Sequence, residues 1–497
     1  MAHKVFRDAV HDMISLDRET HGPAADPLDW GDALLLDLID TPPLQRLRRI
    51  RQLGAAARIY PTGEHSRFSH ALGVLHLAKR ILRALLNRQP TLLDRSELLA
   101  IKTAALLHDL GHGPYSHVFE SIFGPDLRHE PLGWALVIGH PDLVATVDHH
   151  CARLGLDPED FRRRLARLWG VEGAAGPPPL GQQIIASQLD ADRMDYLLRD
   201  AYFTGVAYGR YDLEWLLHSL RVATVDGSPR LCVDLAKGPA ALESYLAARD
   251  NMYRQVYDHK TVRAFDALLH HWFQALMDCY RQRHPPPGTP PELDRFITDR
   301  LAGGGLPSLE VHQSLDDPLL DYAAGHWAAT LSPAAPTLPA SLAELGRKSR
   351  MLRDRKPLYR RLLWSAPEAD GPWSASDLIH DPTAAAALEA FLTARARQPI
   401  PLPDGSSPPL ELLVRLDRVE RAPYAHLRYR HGDPVYVIGP GGRVLPAERL
   451  SPRIDHLGAS RRRLVRVFVD PLARPAVVGL VSREFAHPTL RLGDDPS

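Results

Sequence analysis

Cysteine is scarce: three in 497 residues, Cys151, Cys232 and Cys279, with no CxxC pair among them. A disulfide framework or a cysteine zinc site is therefore not expected, and a reducing compartment fits. Net charge is missing too. Lys plus Arg and Asp plus Glu each number 60, which removes any chain-wide electrostatic case for nucleic-acid binding and leaves only local basic patches. No stretch approaches the roughly 20 apolar residues that span a bilayer. The N-terminal "MAHKVFRDAVHDMISLDRE" is charged throughout and lacks a signal-peptide core, so a cytoplasmic protein away from membranes is expected. Hydrophobic content of 44% and charged content of 24% are those of an ordinary globular protein, long enough for a large core and more than one structural unit.

Residues 30–275 read mostly as helices. "LLLDLIDTPPLQRLRRIRQLG" has helical apolar spacing with Gly54 as a stop, and "HALGVLHLAKRILRALLNR" is a second helix. In "DRSELLAIKTAALLHDLG", Asp94 and Glu97 have the spacing of a capping box, and Gly111, Gly113 and Pro114 end the helix. "GQQIIASQLDADRMDYLLRDAYF" and "AALESYLAARDNMYRQVYDHKTVRAFDALLHHWFQAL" read as two further long helices. "GVEGAAGPPPLG" (170–181), "RHPPPGTPPELD" (283–294) and "RARQPIPLPDGSSPPL" (397–410) are loops or linkers, and the prolines concentrate in the later half. After about 410, "ELLVRLDRVE", "DPVYVIGPGG", "RLVRVFVD" and "AVVGLVS" read as short strands. No internal repeat is evident.

The stretch "AALLHDLGHGPYSHVFE", 104–120, runs an apolar helix end into three histidines and two carboxylates. Converging imidazoles and carboxylates are what a divalent cation needs. On a regular helix His108 and Asp109 point about 100° apart. They can meet on one ion only at a helix end or with ligands from another helix. Gly111 supplies the end; His70 in "SRFSHALGV" and the cluster Asp190, Asp192 and Asp195 in "QLDADRMDY" supply candidate partners.

The blocks "KVFRDAVHD", "IDTPPLQRLRRIRQLG", "RFSHALGV", "LLHDLGHGPYSHVFE", "DADRMDYLLRD" and "ARDNMYRQVYDHK" carry an H…HD…D pattern. They resemble the HD-domain deoxynucleoside triphosphate triphosphohydrolases over roughly residues 4–275. The resemblance implies a mainly α fold, an HD-domain helical bundle with a smaller mixed α/β C-terminal region. The expected division is an HD core with its N-terminal arm over 1–283, a helical region with Pro-rich linkers over 284–410, and a small α/β region over 411–497.

It implies His70, His108, Asp109 and Asp192 as metal ligands, with Asp190 and Asp195 as local rivals of Asp192. The metal would be iron, manganese or a similar ion, with zinc as an alternative and magnesium on the substrate phosphates. His117 is implied as the acid/base on the bridging oxygen, Glu120 and His129 as its orienting partners, and His112 as an assistant near the phosphates. The family usually has Asp where Glu120 stands. Arg67, Arg193 (where a lysine is common) and Arg249 match phosphate contacts. Gln52, Leu53 and Asp200 match the sugar-hydroxyl site, Tyr196 the residue crowding the 2′ position, and Tyr257 another sugar-pocket tyrosine. Tyr253 and Asp258 stand where histidine and glutamine are usual.

Lys4, Val5, Asp40, Gln45 and Arg48 resemble a guanine-nucleotide activator site, and Lys260 a position that reaches a regulatory nucleotide. Arg7 replaces an asparagine there, and the spacer "DRETHGPAADPLDWGD" is longer than usual. These matches imply a GTP or dNTP activator and a homo-oligomer, dimer or tetramer. The implied reaction is water attack on the α-phosphorus of a (deoxy)nucleoside triphosphate. The residues alone specify only phosphohydrolysis. Nucleoside monophosphates, signalling nucleotides and nucleic-acid ends remain alternative substrates, and a nucleotide-sensing or nucleic-acid-binding protein is the non-enzyme alternative. "DHHC" at 148–151 reads as a surface helix end, "GPGGRV" at 439–444 as a hairpin turn, and "SRRRLVRVFVD" as a solvated strand edge.

Overall fold

Apolar periodicity along the first half of the chain builds a set of packed helices, seen here in a computed structural model. It describes residues 3–18, 26–124, 127–171, 178–303, 305, 307–331, 338–356, 358–365, 375–376, 378–421, 424, 434–459, 462–488 and 490–492. Residues 19–25 of the long spacer that begins at Asp17, and the middle of the 170–181 loop, lie outside the described residues. The chain folds as two compact units. One is Met1–Val256, Leu306–Asp317 and Pro423–Ser460; the other is Tyr257–Gly305, Pro318–Ala422 and Arg461–Ser497. They interleave along the chain, unlike the consecutive segments 1–283, 284–410 and 411–497 that composition suggests.

The first unit opens with an antiparallel hairpin, β1 (His3–Asp8) and β2 (Asp12–Asp17). Its helices are α1 (Asp32–Ile39), α2 (Pro42–Arg46), α3 (Arg67–Leu86), α4 (Arg95–Leu107), α5 (His117–Phe123), α6 (His129–Gly139), α7 (Pro141–Leu154), α8 (Pro158–Trp169), α9 (Leu180–Ile185), α10 (Ala191–Thr204), α11 (Leu213–Ser219) and α12 (Pro239–Met252). The strands β3 (Leu220–Val225) and β4 (Ser228–Asp234) interrupt them. Later segments return to this unit as α15 (Leu309–Ser314), β9 (Tyr436–Ile438), β10 (Val444–Pro446) and α19 (Pro452–Ala459), giving a sheet of order β10-β9-β4-β3. The turn over Gly439–Arg443 joins β9 to β10, as "GPGGRV" suggests.

Three expected long helices are broken. Pro42 cannot donate into a preceding helix, so α1 ends before it and α2 starts at it. The Ser187–Asp190 turn separates α9 from α10. A π-turn over Tyr253–Tyr257 separates α12 from the next helix, which His259 caps. "DHHC" is not a bare surface end: His150 and Cys151 are buried, and the His150 ring meets Asp37 at 2.8 Å.

The second unit contains α13 (Lys260–Arg281), α14 (Pro291–Leu301), most of α16 (Asp317–Thr330), α17 (Ala340–Asp354), α18 (Pro382–Ala394) and α20 (Arg474–Glu484). Its sheets are β5-β11-β8 and β12-β6-β7, from β5 (Arg360–Arg361), β6 (Trp364–Ser365), β7 (Ala375–Ser376), β8 (Val414–Arg421), β11 (Arg462–Val469) and β12 (Arg491–Leu492). Two expectations are corrected here. "AVVGLVS" is helical: Val477, Leu480 and Val481 are its buried residues, spaced three and four apart rather than alternating. "SRRRLVRVFVD" forms β11, the central strand rather than an edge, with Val467, Phe468 and Val469 fully buried. The chain is thus mainly α, with an HD-type helical bundle and small sheets. Among the described residues, no helix is long and apolar enough to cross a membrane.

α4 is the spine of the first unit. The capping box of Asp94 and Glu97 starts it, and every residue from Leu98 to Leu107 is buried. That includes Lys102, whose Nζ donates to Asp32 Oδ1 at 2.7 Å and to the carbonyls of Leu28 and Trp30 at 2.6 and 3.0 Å. Burial lowers the lysine to about 8 despite the Asp32 charge. Removing one member of such a pair strands the other. Lys102→Met should therefore cost about 3–5 kcal/mol, read as a lower urea midpoint; an unchanged midpoint would refute this account of α4.

Candidate active site

α4 gives out where its chemistry begins. Leu107 is its last residue, and His108 and Asp109 follow as the backbone turns. Gly111 makes the next approach: a Cβ there would lie 2.0 Å from the His129 carbonyl oxygen and 2.3 Å from the Gly133 nitrogen. Only glycine lets α6 pack backbone to backbone against this turn. Tyr115 and Ser116 both have φ of 54°, strain of about 1–3 kcal/mol each that its surroundings must hold. Those surroundings are specific. Tyr115 N donates to Asp317 Oδ1 at 2.8 Å, Arg67 Nε donates to Ser116 Oγ at 2.8 Å, and Arg46 Nη1 donates to the His112 carbonyl at 2.9 Å.

His70 (first turns of α3), His108 and Asp109 (end of α4) come together, and their ligand atoms lie within 4.8 Å of one another. Asp192, in the first turn of α10, joins them: its Oδ1 is 3.0 Å from His70 Nε2 and 3.7 Å from His108 Nε2. The local rivals sit elsewhere. Asp190 caps α10 through Arg193 N at 2.7 Å, and Asp195 meets the opposite side of His70, at Nδ1, 2.7 Å away.

The donor chemistry fits a cation. His108 Nδ1 donates to the Ala105 carbonyl at 2.9 Å, an acceptor only, so the neutral ring carries its lone pair on Nε2. That Nε2 is buried with no hydrogen bond. Asp195 fixes His70 in the same sense. Burial pulls His70 down, but its hydrogen bonds to Asp192 and Asp195 and the charges of Asp195 and Asp109 lift it to about 10. Three carboxylates crowding one buried imidazole are the electrostatics of a site for positive charge. Burial pushes Asp109 up, and Arg67, His108 and His112 hold it well below the usual carboxylate range. The His/Asp cluster could hold a divalent metal; its donors do not select one element.

Beside it stands a second set: His112, His117, Glu120 and His129. Glu120 Oε1 is 3.0 Å from the Nδ1 of both His112 and His129, and Oε2 is 3.2 Å from His117 Nδ1. Burial raises this carboxyl, and the three imidazoles overcome that and lower it steeply. His112 stacks on His129 with centroids 3.8 Å apart, and its Nε2 lies 3.2 Å from Asp109 Oδ1, joining the two sets. Burial, reinforced by the charges of Arg67 and His129, lowers His112 to about 3. His117 is the exposed member, its side chain 72% accessible.

The expected substrate residues surround this core unevenly. Arg67 is buried, with Nη1 2.5 Å from Asp109 Oδ2. Arg193 Nε is 3.1 Å from Asp190. Tyr196 is raised by burial first and then by neighbouring Tyr253, against the charges of Arg193 and Arg249; Arg249 also lies over the Tyr253 ring at 5.9 Å. Asp200 is held by His65 at 2.8 Å, and the His65 carbonyl accepts from Gln52 N at 2.9 Å. Gln52 Oε1 is buried with no hydrogen bond, and half-buried Leu53 follows it. Lys4 pairs with Asp40 at 3.4 Å, Arg48 with Gln45 at 2.8 Å, and Val5 is half exposed. Tyr257 and Lys260 belong to the second unit.

Sequence reasoning missed His65, Arg46 and Asp317. His65 lies five residues before His70 and offered a signal by proximity; Arg46 and Asp317 act through backbone groups and offered none.

A paired His/Asp and His/Glu centre on the ends of packed helices defines a helical scaffold that could hold a metal ion. Residues 67–200 match the family model of the HD domain. The chain is 37% identical over 268 residues to the uncharacterized protein YwfO of Bacillus subtilis, covering 54% of each. It is 29% identical over 288 residues to the human deoxynucleoside triphosphate triphosphohydrolase SAMHD1, covering 54% of this chain and 43% of that protein. The chain spans about half the length of the curated relatives it matches. Its fold is similar to that of a phosphohydrolase from Bacteroides thetaiotaomicron, with TM-score 0.68, 23% identity and coverage of 94% of this chain and 100% of that one.

Manganese at about a hundred times its Kd should stabilise the protein by about 2.7 kcal/mol, seen as a raised unfolding midpoint. His108→Ala and Asp192→Asn should lose that increment. Its retention in both would place the ion elsewhere.

Proposed function

We propose that the protein is a phosphohydrolase that cleaves (deoxy)nucleoside triphosphate to nucleoside and inorganic triphosphate. The observation that carries this reading is the junction of the two sets at Asp109 and His112, which puts proton-handling imidazoles beside a cation site. His70, His108, Asp109 and Asp192 would hold a divalent ion such as iron or manganese, which would supply positive charge to phosphoryl oxygens and lower the pKa of a water.

The other tasks fall to side chains. Water oxygen bonds to the α-phosphorus as the bond to the bridging 5′-oxygen breaks; His117 gives that oxygen its proton, and the proton lost by the water passes to solvent, from which His117 is reprotonated. Glu120 holds His117 by Nδ1, leaving Nε2 to face the substrate, and His129 fixes the carboxylate. Arg67, held by Asp109 and Ser116, Arg193, held by Asp190, and Arg249 would share the phosphate charge. Asp200 and the unpaired Gln52 Oε1 suit a sugar hydroxyl, and Tyr196 would crowd a 2′-oxygen.

Regulation by a nucleotide has its own support. Lys260 lines a cavity of about 1050 Å³ within the second unit, together with Arg355, Lys356, Arg360, Arg361 and Arg474 and, among the described residues, no acidic one. Such a lining suits a polyphosphate. Arg360→Glu should remove any rate response to GTP or dNTP effectors; an intact response in that variant would exclude this cavity as their site.

With manganese and a panel of dNTPs and NTPs, the wild type should release inorganic triphosphate and nucleoside in equal amounts. Orthophosphate as the sole phosphate product would overturn the reading. His117→Ala should slow turnover by about 10²–10⁴ while keeping the manganese-dependent stabilisation.

A further inference from the structure

Asp195 has four lone-pair directions, and each meets a donor. His70 Nδ1 and Arg199 Nε reach Oδ2 at 2.7 and 2.8 Å; His11 Nε2 and Arg199 Nη2 reach Oδ1 at 2.7 and 2.9 Å. A carboxylate satisfied on all sides has one orientation, and so does the imidazole it holds.

Two of those donors lead to the N-terminal hairpin. His11 stands in the turn between β1 and β2, and its side chain is only 2% exposed. Asp8, at the end of β1, accepts from the backbone N of Val10 and His11 at 2.9 Å each. It also accepts from Arg199 Nη1 at 2.8 Å and Nη2 at 3.2 Å. The fold makes room for this arrangement. A Cβ on Gly73 would fall 1.9 Å from Asp195 Oδ1 and 2.5 Å from Arg199 Nη2, so α3 carries glycine where the carboxylate and guanidinium cross it.

We propose that His11 is a positioning residue of the metal centre: through Asp195 it fixes His70, so that the N-terminal hairpin and the bound ion stabilise each other. The chain His11–Asp195–His70 is a carboxylate bridge between two imidazoles, one on a metal ligand and one on a hairpin turn. Partners of this kind set ligand orientation and typically contribute 10–100-fold to metal affinity. Thermodynamic reciprocity requires the converse, that the ion tightens the hairpin. Lys4 and Val5 lie on β1, so whatever pins or frees that strand acts on the same linkage.

The inference rests on the reading that His70 is a metal ligand, and the experiment separates the two. Cobalt(II) is titrated into the metal-free full-length protein by equilibrium dialysis, with its visible absorption recorded. If the wild type binds no cobalt, the metal-centre reading itself fails. If it binds, His11→Phe should bind about 10–100-fold more weakly with an altered spectrum, and His11→Gln, which keeps an N–H for Asp195, should recover most of the affinity. Wild-type affinity and spectrum in His11→Phe would overturn the proposal. The unmutated chain gives a second test that needs no variant to fold. Cobalt should slow amide exchange across residues 3–17, and exchange there that ignores the metal would also overturn it.

Discussion

Four imidazoles of the centre are held by the same nitrogen. Nδ1 of His70 is bonded to Asp195, that of His108 to the Ala105 carbonyl, and those of His117 and His129 to Glu120. Each oxygen accepts, so each of these Nδ1 atoms donates, and Nε2 is what the neutral ring has left for chemistry. Four side chains from α3, α5, α6 and the end of α4 thereby present equivalent atoms. His112 is the exception: its Nδ1 makes no hydrogen bond and its Nε2 lies 3.2 Å from Asp109 Oδ1. The placement of the helices serves this constraint, because an imidazole free to spin about χ2 would present either nitrogen.

The constraint has a structural cost, and remote parts of the chain carry it. The turn between α4 and α5 contains two residues in the left-handed region and a glycine in backbone contact with α6. Isolated, that turn would relax. Leu309–Ser314 and the residues after it return about two hundred positions later to hold it. The Leu315 carbonyl takes Arg46 Nε at 3.0 Å, and Asp317 takes Tyr115 N at 2.8 Å and Arg51 N at 3.0 Å. This explains why a segment far from any motif belongs to the same compact unit as the motifs.

How much of this was legible follows from which groups interact. Local rules were readable: the capping box of Asp94 and Glu97, the buried run to Leu107 and the stop at Gly111 depend on neighbours within a turn or two. The H…HD…D spacing was readable because metal ligation restricts residue type. Breaks at Pro42 and in the Ser187–Asp190 turn were written in the sequence but are easily overrun by a continuous apolar pattern. The helical state of Val477–Val481 turned on whether a short apolar run has a period near two or near four, which five residues barely distinguish. The separate positions of Asp190, Asp192 and Asp195 could not be read at all. Three carboxylates within six residues differ only in which helix face meets α3.

That difference organises the centre. Residues 192 and 195 are three apart on α10, hence on one face, and His70 sits between them with a ring nitrogen toward each. One carboxylate faces the cation site and the other faces Arg199. The same two-sided logic operates at Glu120. One oxygen takes His117 Nδ1 at 3.2 Å and the other takes His129 Nδ1 at 3.0 Å. An aspartate, as the resemblance would lead one to expect, is one methylene shorter, so from the same backbone its carboxylate would sit back from both rings. The longer side chain and the placement of α5 thus form one solution, in which a single anion fixes two Nδ1 atoms.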